Sequence, residues 1–431
     1  MAVRYSPIDP ALFVTHRNSL SKLMDDSSFL VLQSNDLMPR NGDCTFSFRQ
    51  DSDFFYLTGI DQEESVLVLN PGAEDKFERE ILFIKATNDH IRVWEGHKYS
   101  IDEARKISGL SNVQLISQLE HVLKEVLSDR QVVHYNNNEN IRASSLVPSR
   151  NDRCIAELKS NHKNHHFVSI APALTSLREV KSQGEIKIIE KACSITKSAF
   201  ERVLRTVKPG ITEYEIEAEI THEFISKRAN THAYTPIVAS GKNACVLHYI
   251  DNNEVCQNGD LILLDFGAEY GNYASDLSRT IPVNGVFSNR QKDVYNAVLR
   301  VFKGARENMV EGNTLKQLQD LVINLMEKEL VGLGLLSEKK IKNQNPEDPV
   351  VKKYFMHGVS HFMGLDVHDV GDRNQPFKNG MILTCEPGIY INEEQLGIRI
   401  ENDILISGSK PIDLMADIPI EVEDIERLMK C

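Results

Sequence analysis

The sequence predicts an α+β chain of two domains: an α/β domain, then a larger one built from two similar halves that face each other across a site. Three observations predict it. The chain has 431 residues, too many for one ordinary core. Its first part mixes short apolar runs with a run at helical spacing. Beyond that, the order helix, glycine break, helix, acidic hairpin occurs twice, a faint internal repeat.

Phe29-Leu-Val-Leu, Ser65-Val-Leu-Val-Leu and Ile81-Leu-Phe-Ile are apolar runs of strand length bounded by turn residues. Residues 116–127, ISQLEHVLKEVL, bring apolar side chains round at helical spacing. Few polar residues group in this part, so residues 1–172 read as a domain without chemistry of their own. The boundary follows KSNHKNHH at 159–166, which reads as a solvated helix face rather than a metal tract. Residues 173–431 form the second domain. A long helix is expected over 179–207, with Ile186, Ile189, Cys193, Phe200, Val203 and Leu204 on one side, stopped by Pro209-Gly210. Thr212 with Glu215 is a capping box for the next helix, expected through Phe224. Ser288 with Gln291 is another, for a helix running to Glu311-Gly312, and Thr314 opens a fourth helix.

Composition excludes several classes. A formal net charge of −13 argues against binding nucleic acid by counterion release. No apolar run approaches the ~20 residues that span a bilayer, and MAVRYSPIDPALFVTHRNS carries no apolar signal region. The seven cysteines are odd in number and scattered, which suits reduced thiols in a cytoplasm.

Chemistry concentrates in the two hairpins. In DLILLDFGAEYGNYASD, a turn centred on Tyr270-Gly271 would set Asp265 opposite Asp276, and a shift by one residue would leave them diagonal. In TCEPGIYINEEQLGIRIE, a turn at Glu393-Glu394 sets Glu386 opposite Glu401, with Arg399 on the face of Glu401. Like charges facing across a ladder are unfavourable, and buried carboxylates alone are costly. A cation between them removes both problems; the plain alternative is surface aspartates flanking a hairpin. The stretch HGVSHFMGLDVHD adds His357, His361 and His368. His357 and His361 have zinc-protease spacing, but Gly358 stands where that motif needs its base and Gly364 interrupts a helix. Four carboxylates and one imidazole are too many ligands for one zinc and suit two divalent ions, the oxygen-rich set leaning to manganese ahead of zinc or cobalt. The reaction class that follows is metal-assisted hydrolysis.

LLDFGAEYGNYASDLSRT, HGVSHFMGLDVHD, LTCEPGIYI and GIRIEND together resemble the metal-site motifs of the pita-bread metallopeptidases, in particular aminopeptidase P, and FRQDSDFFYLTG at 48–59 resembles the signature of that family's N-terminal domain. The resemblance covers nearly the whole chain. It implies a pita-bread catalytic domain with Asp265, Asp276, His361, Glu386 and Glu401 as ligands of two ions, Asp276 and Glu401 bridging. It implies substrate and transition-state contacts for His357, His368 and His248, a carboxylate-orienting role for Arg399, and Glu386 as general base towards a water held between the ions. The implied reaction removes the first residue of a peptide whose second residue is proline. The family forms homodimers or homotetramers, which gives the N-terminal domain a role in access or assembly, and Trp94 lies in a stretch that can reach a neighbouring subunit's site. Prolidase, confined to Xaa-Pro dipeptides, is the nearest rival. Creatinase lacks this metal set, and the non-catalytic peptide-binding relatives have lost ligands that are all present here.

Overall fold

The computed structural model describes residues 3–138, 140, 146–346 and 348–430. It divides into two units, Met1–Arg178 and Glu179–Cys431.

A six-stranded mixed sheet frames the first unit. Helix α1 (Pro10–Ser21) precedes β1 (Ser28–Gln33), β2 (Val66–Leu69), β3 (Glu80–Ile84), β4 (Asn112–Leu115), α2 (Leu119–Asp129), β5 (Val132–Tyr135), β6 (His166–Ser169) and α3 (Ala171–Arg178). The strands lie in the order β4-β3-β2-β1-β5-β6. β2 runs antiparallel to both its neighbours and the other pairs are parallel. Every residue of β1 and β2 is buried, which is why they read as unbroken apolar runs rather than alternating ones. Phe29, Val31, Val66, Val68, Ile81, Phe83 and Val133 meet Val126 and Leu127 of α2 in one core. The helical run at 116–127 opens as a 3₁₀ turn, Ile116–Gln118, before α2 takes over. The division between the units falls after α3 rather than at 172/173, because α3 packs against α1.

The second unit runs through one plan twice. Its first half holds α4 (Gln183–Thr206), α5 (Glu213–Ser226), β7 (Ile237–Ser240), β8 (Leu261–Asp265) and β9 (Ser278–Pro282), the strands forming an antiparallel sheet in the order β7-β8-β9. Its second half holds α6 (Asn289–Glu307), α7 (Leu315–Gly332), β10 (Ile382–Cys385), β11 (Gly388–Ile391), β12 (Leu396–Arg399) and β13 (Asn402–Leu405), with β10 paired to β13 and β11 to β12. α4 packs on α5 and α6 on α7. The capping boxes at Thr212/Glu215 and Ser288/Gln291 are formed. α4 starts at Gln183 rather than 179 because Ser182 and Glu185 make a further capping box. The halves are stitched directly: the Glu401 N–H donates to Ser278 O at 3.0 Å, and the Arg399 N–H to Thr280 Oγ at 3.2 Å. Among the described residues no helix is long and apolar enough to cross a membrane.

Candidate metal centre

The first hairpin turns one residue later than the spacing suggests. Gly271 and Asn272 take φ of +58° and +63°, Tyr270 and Tyr273 exchange backbone hydrogen bonds of 2.9 and 3.1 Å, and Asp265 pairs with Ser278. A two-residue hairpin turn of this type needs left-handed backbone at both positions, which glycine and asparagine accept and a tyrosine resists. Asp276 therefore sits two residues along from the partner of Asp265, the diagonal arrangement. The two side chains still converge, because Tyr234 Oη lies 2.6 Å from Asp265 Oδ1 and 2.5 Å from Asp276 Oδ1. One hydroxyl has one proton to give. Two carboxylates crowding it call for a second positive partner.

In the second hairpin the register runs unbroken. Cys385 faces Asn402 and Gly388 faces Arg399, so Glu386 stands against Glu401 in the short gap between the two ladders. Ser278 Oγ donates to Glu401 Oε2 at 2.6 Å, which brings the partner of Asp265 onto a carboxylate of the other half. The segment carrying His361 is laid along β10: the Thr384 N–H donates to His361 O at 2.9 Å and the Glu386 N–H to Val359 O at 2.9 Å.

His361 Nε2 points into the acidic cluster, 3.5 Å from Asp276 Oδ2 and 3.6 Å from Glu386 Oε1. Its Nδ1 lies 3.0 Å from Phe362 O, so Nδ1–H donates there and Nε2, once it gives up its proton, would turn its lone pair to a cation. Candidate donor atoms of Asp276, His361 and Glu401 all lie within 4.8 Å of one another. Asp265 and Glu386 flank that trio, tied to it through Tyr234 and His361. Electrostatics tell the same story. Burial drives the Glu386 carboxyl up to about 7 and also raises Asp276 and Glu401, with repulsion among the acids adding to each. Burial opposes charge on His361, but Asp276 and Glu386 outweigh it and lift the imidazole to about 9. Acids that resist ionising together around a basic imidazole fit a centre completed by divalent cations.

Arg399 is buried and forks three ways: Nη2 to Asp265 Oδ2 at 2.5 Å, Nε to Ser278 Oγ at 2.9 Å, Nη1 to Tyr390 Oη at 2.9 Å. Tyr390 Oη lies 2.8 Å from His357 Nε2, whose other nitrogen is 2.9 Å from Gly358 O. Nδ1–H therefore faces the carbonyl and Nε2 accepts from the phenol, so His357 is the neutral imidazole. Burial, with the Arg399 charge, holds it down at about 4. His368 stacks edge-on to His361 with ring centroids 4.4 Å apart. His248 is exposed on the loop after β7, and its charge also acts on His357. All nine residues singled out by the sequence thus fall in one region of the second unit. Tyr234 and Tyr390 escape the sequence reading. Tyr390 had a signal, since positions 386 and 390 share a face of one strand-like run; Tyr234, in His-Ala-Tyr-Thr-Pro, had none.

Residues 187–408 match the family described as Metallopeptidase family M24, and residues 13–134 match the domain described as Aminopeptidase P, N-terminal domain. The chain is 35% identical to a protein named Xaa-Pro aminopeptidase from Haemophilus influenzae, over 97% of this chain and 96% of the relative. It superposes on the aminopeptidase PepP structure of Pseudomonas aeruginosa with a TM-score of 0.90 at 31% identity, covering 98% of both chains. A Glu→Ala variant of Escherichia coli aminopeptidase P, solved in complex with substrate, gives a TM-score of 0.88 at 32% identity, covering 99% of both.

Proposed function

The chain belongs to metallopeptidase family M24, in its aminopeptidase P branch with the pita-bread catalytic domain, and from that premise we propose that it is a Xaa-Pro aminopeptidase releasing the first residue of peptides whose second residue is proline. The observation that carries the reading is the convergence of Asp276, His361 and Glu401 within ligating distance of one another, with Asp265 and Glu386 beside them. Those five residues would hold two divalent ions. The preponderance of carboxylate oxygen favours manganese, with zinc or cobalt as substitutes. When bound, such ions polarise the scissile carbonyl and make the attacking water acidic.

The remaining steps fall to side chains of this chain. Glu386, its carboxylate 3.6 Å from His361 Nε2 at the acidic cluster, is placed to take a proton from the attacking water. The Xaa-Pro bond is a tertiary amide, so its nitrogen leaves only after gaining a proton. Glu386 passes on the one it took, while the water oxygen ends in the carboxylate of the released residue. Arg399 fixes Asp265 and, through Tyr390, the neutral ring of His357. His248 and His368, both exposed, are placed to touch substrate. The reading extends to a cytoplasmic homodimer or homotetramer, in keeping with cysteines 44, 154, 193, 245, 256 and 385 being unpaired thiols.

The test compares a Xaa-Pro dipeptide with a Xaa-Pro-Yaa tripeptide, using metal-stripped protein resupplied with Mn2+. Release of the first residue from the tripeptide is expected, with Glu386→Gln losing at least ~100-fold in kcat. Cleavage of the dipeptide alone would make the protein a prolidase, and silence on both would leave a binding protein.

A further inference from the structure

The exposed His248 sits on residues 241–254, the first part of the 241–260 connection between β7 and β8, with a single 3₁₀ turn as regular structure. Such a segment would be expected to move. Its base, however, closes on one buried acid. Glu213, the first residue of α5, is fully buried with no lysine or arginine paired to it among the described residues. Its Oε1 accepts from the Ser240 N–H and Ser240 Oγ, both at 2.7 Å, and from Asn243 Nδ2 at 3.4 Å. Its Oε2 accepts from Tyr249 Oη at 2.7 Å and from the Glu254 N–H at 2.9 Å.

The Ser240 N–H and Asn243 Nδ2 on one oxygen and the Glu254 N–H on the other can only donate, so both oxygens must accept, as a carboxylate's do. The α5 N-terminus supplies further positive potential to an anion placed there. The donors also bracket His248 in sequence, Ser240 and Asn243 before it and Tyr249 and Glu254 after it. One turn along the same helix face, Glu217 Oε2 accepts from Asn252 Nδ2 at 2.8 Å, and Asn252 Oδ1 takes the Val238 N–H at 3.0 Å. The loop is thus anchored to one face of α5 on both sides of the exposed histidine. Ala244 and Tyr249 share one buried apolar cluster with Tyr390, which is hydrogen-bonded to His357.

We propose that Glu213 is a positioning residue: an anionic clamp that shapes the 241–254 loop and holds His248 over the substrate. The proposal rests on the Xaa-Pro aminopeptidase reading and deepens it by making the substrate-side histidine dependent on a carboxylate that touches no substrate itself.

A double-mutant cycle on the Mn2+-loaded enzyme with a Xaa-Pro-Yaa tripeptide tests it. Glu213→Gln puts an NH₂ against donors on one side and is expected to lower kcat/KM by about 10- to 100-fold, the usual cost of displacing a contact group. Bound manganese per chain is expected at the wild-type level. In a His248→Ala background the same change is expected to cost less than about twofold, because the histidine it positions is gone. Tyr249→Phe takes one donor from the carboxylate, along with that hydroxyl's longer contacts to Asn253 at 3.3 and 3.5 Å, and leaves Glu213 itself, so it covers the case in which Glu213→Gln does not fold. It is expected to lower kcat/KM about fivefold, the worth of one hydrogen bond, and again only when His248 is present. Equal losses with and without His248, or a parallel loss of metal, would overturn the clamp while leaving the aminopeptidase reading intact. A wild-type enzyme inactive on every Xaa-Pro peptide would overturn both.

Discussion

At the scale of single residues, the site is governed by how few protons its oxygens share. Arg399 Nη1 donates to Tyr390 Oη, and that phenol spends its own proton on His357 Nε2. Removing the hydroxyl leaves an unpaired imidazole nitrogen beside a guanidinium, without touching any carboxylate. Tyr390→Phe should therefore lower kcat on a Xaa-Pro-Yaa peptide by about fivefold, the worth of one hydrogen bond, with manganese content unchanged; unaltered kinetics would show that His357 keeps its orientation without the phenol. The acids make a second prediction. Glu386, at about 7, and Glu401 hold their protons to higher pH than ordinary carboxyls, and a cation binds only the deprotonated form. Affinity must then rise with pH, about tenfold per unit for each proton displaced. Titration calorimetry should show Mn2+ binding more than ~10-fold tighter at pH 8 than at pH 6, and a flat profile would mean that the acids are already ionised at pH 6.

At the scale of elements, what was legible is what is local. Thr212 with Glu215 and Ser288 with Gln291 announce their helices because a cap and its partner lie three residues apart. The second hairpin was legible down to register, since Glu393 and Glu394 at its tip and the apolar flanks leave one sensible alignment. The first hairpin was not. Alternation alone allows the turn at Tyr270-Gly271 or at Gly271-Asn272, and only the left-handed backbone demanded at both corners decides between them. Tyr234 was out of reach for a different reason, because it joins Asp265 and Asp276 from another strand connection and no spacing rule spans that distance. The turn itself can be tested. Gly271→Val forces a β-branched side chain into φ +58° and should cost about 1–2 kcal/mol in urea unfolding. It should also lower manganese occupancy, because Asp276 follows on the returning strand; full occupancy would mean the acids are placed by Tyr234 and Arg399 rather than by the turn.

At the scale of the whole second unit, the chain entering α4 is locked to the loop that carries His368. Glu179 Oε1 takes Lys378 Nζ at 2.6 Å, the Lys181 N–H donates to Gly380 O at 2.8 Å, and Lys181 Nζ lies 3.0 Å from Asp369 Oδ2 with both side chains 1% exposed. Gly364 is what makes room, since a Cβ there would come within 2.1 Å of Asp369 Oδ2 and 2.8 Å of Lys181 Cε. A buried pair of this kind does little net work compared with apolar residues of the same shape, yet breaking one side strands a charge. Lys181→Met should therefore cost about 3–5 kcal/mol in chemical unfolding. The sign of its coupling to Asp369 is the informative part. If the cost is a stranded carboxylate, Lys181→Met with Asp369→Asn will be less destabilised than the sum of the two single variants, by about 1–3 kcal/mol. If the costs simply add, the two groups serve separate partners, and the entry to α4 and the loop of His368 are held by Glu179 and the backbone alone.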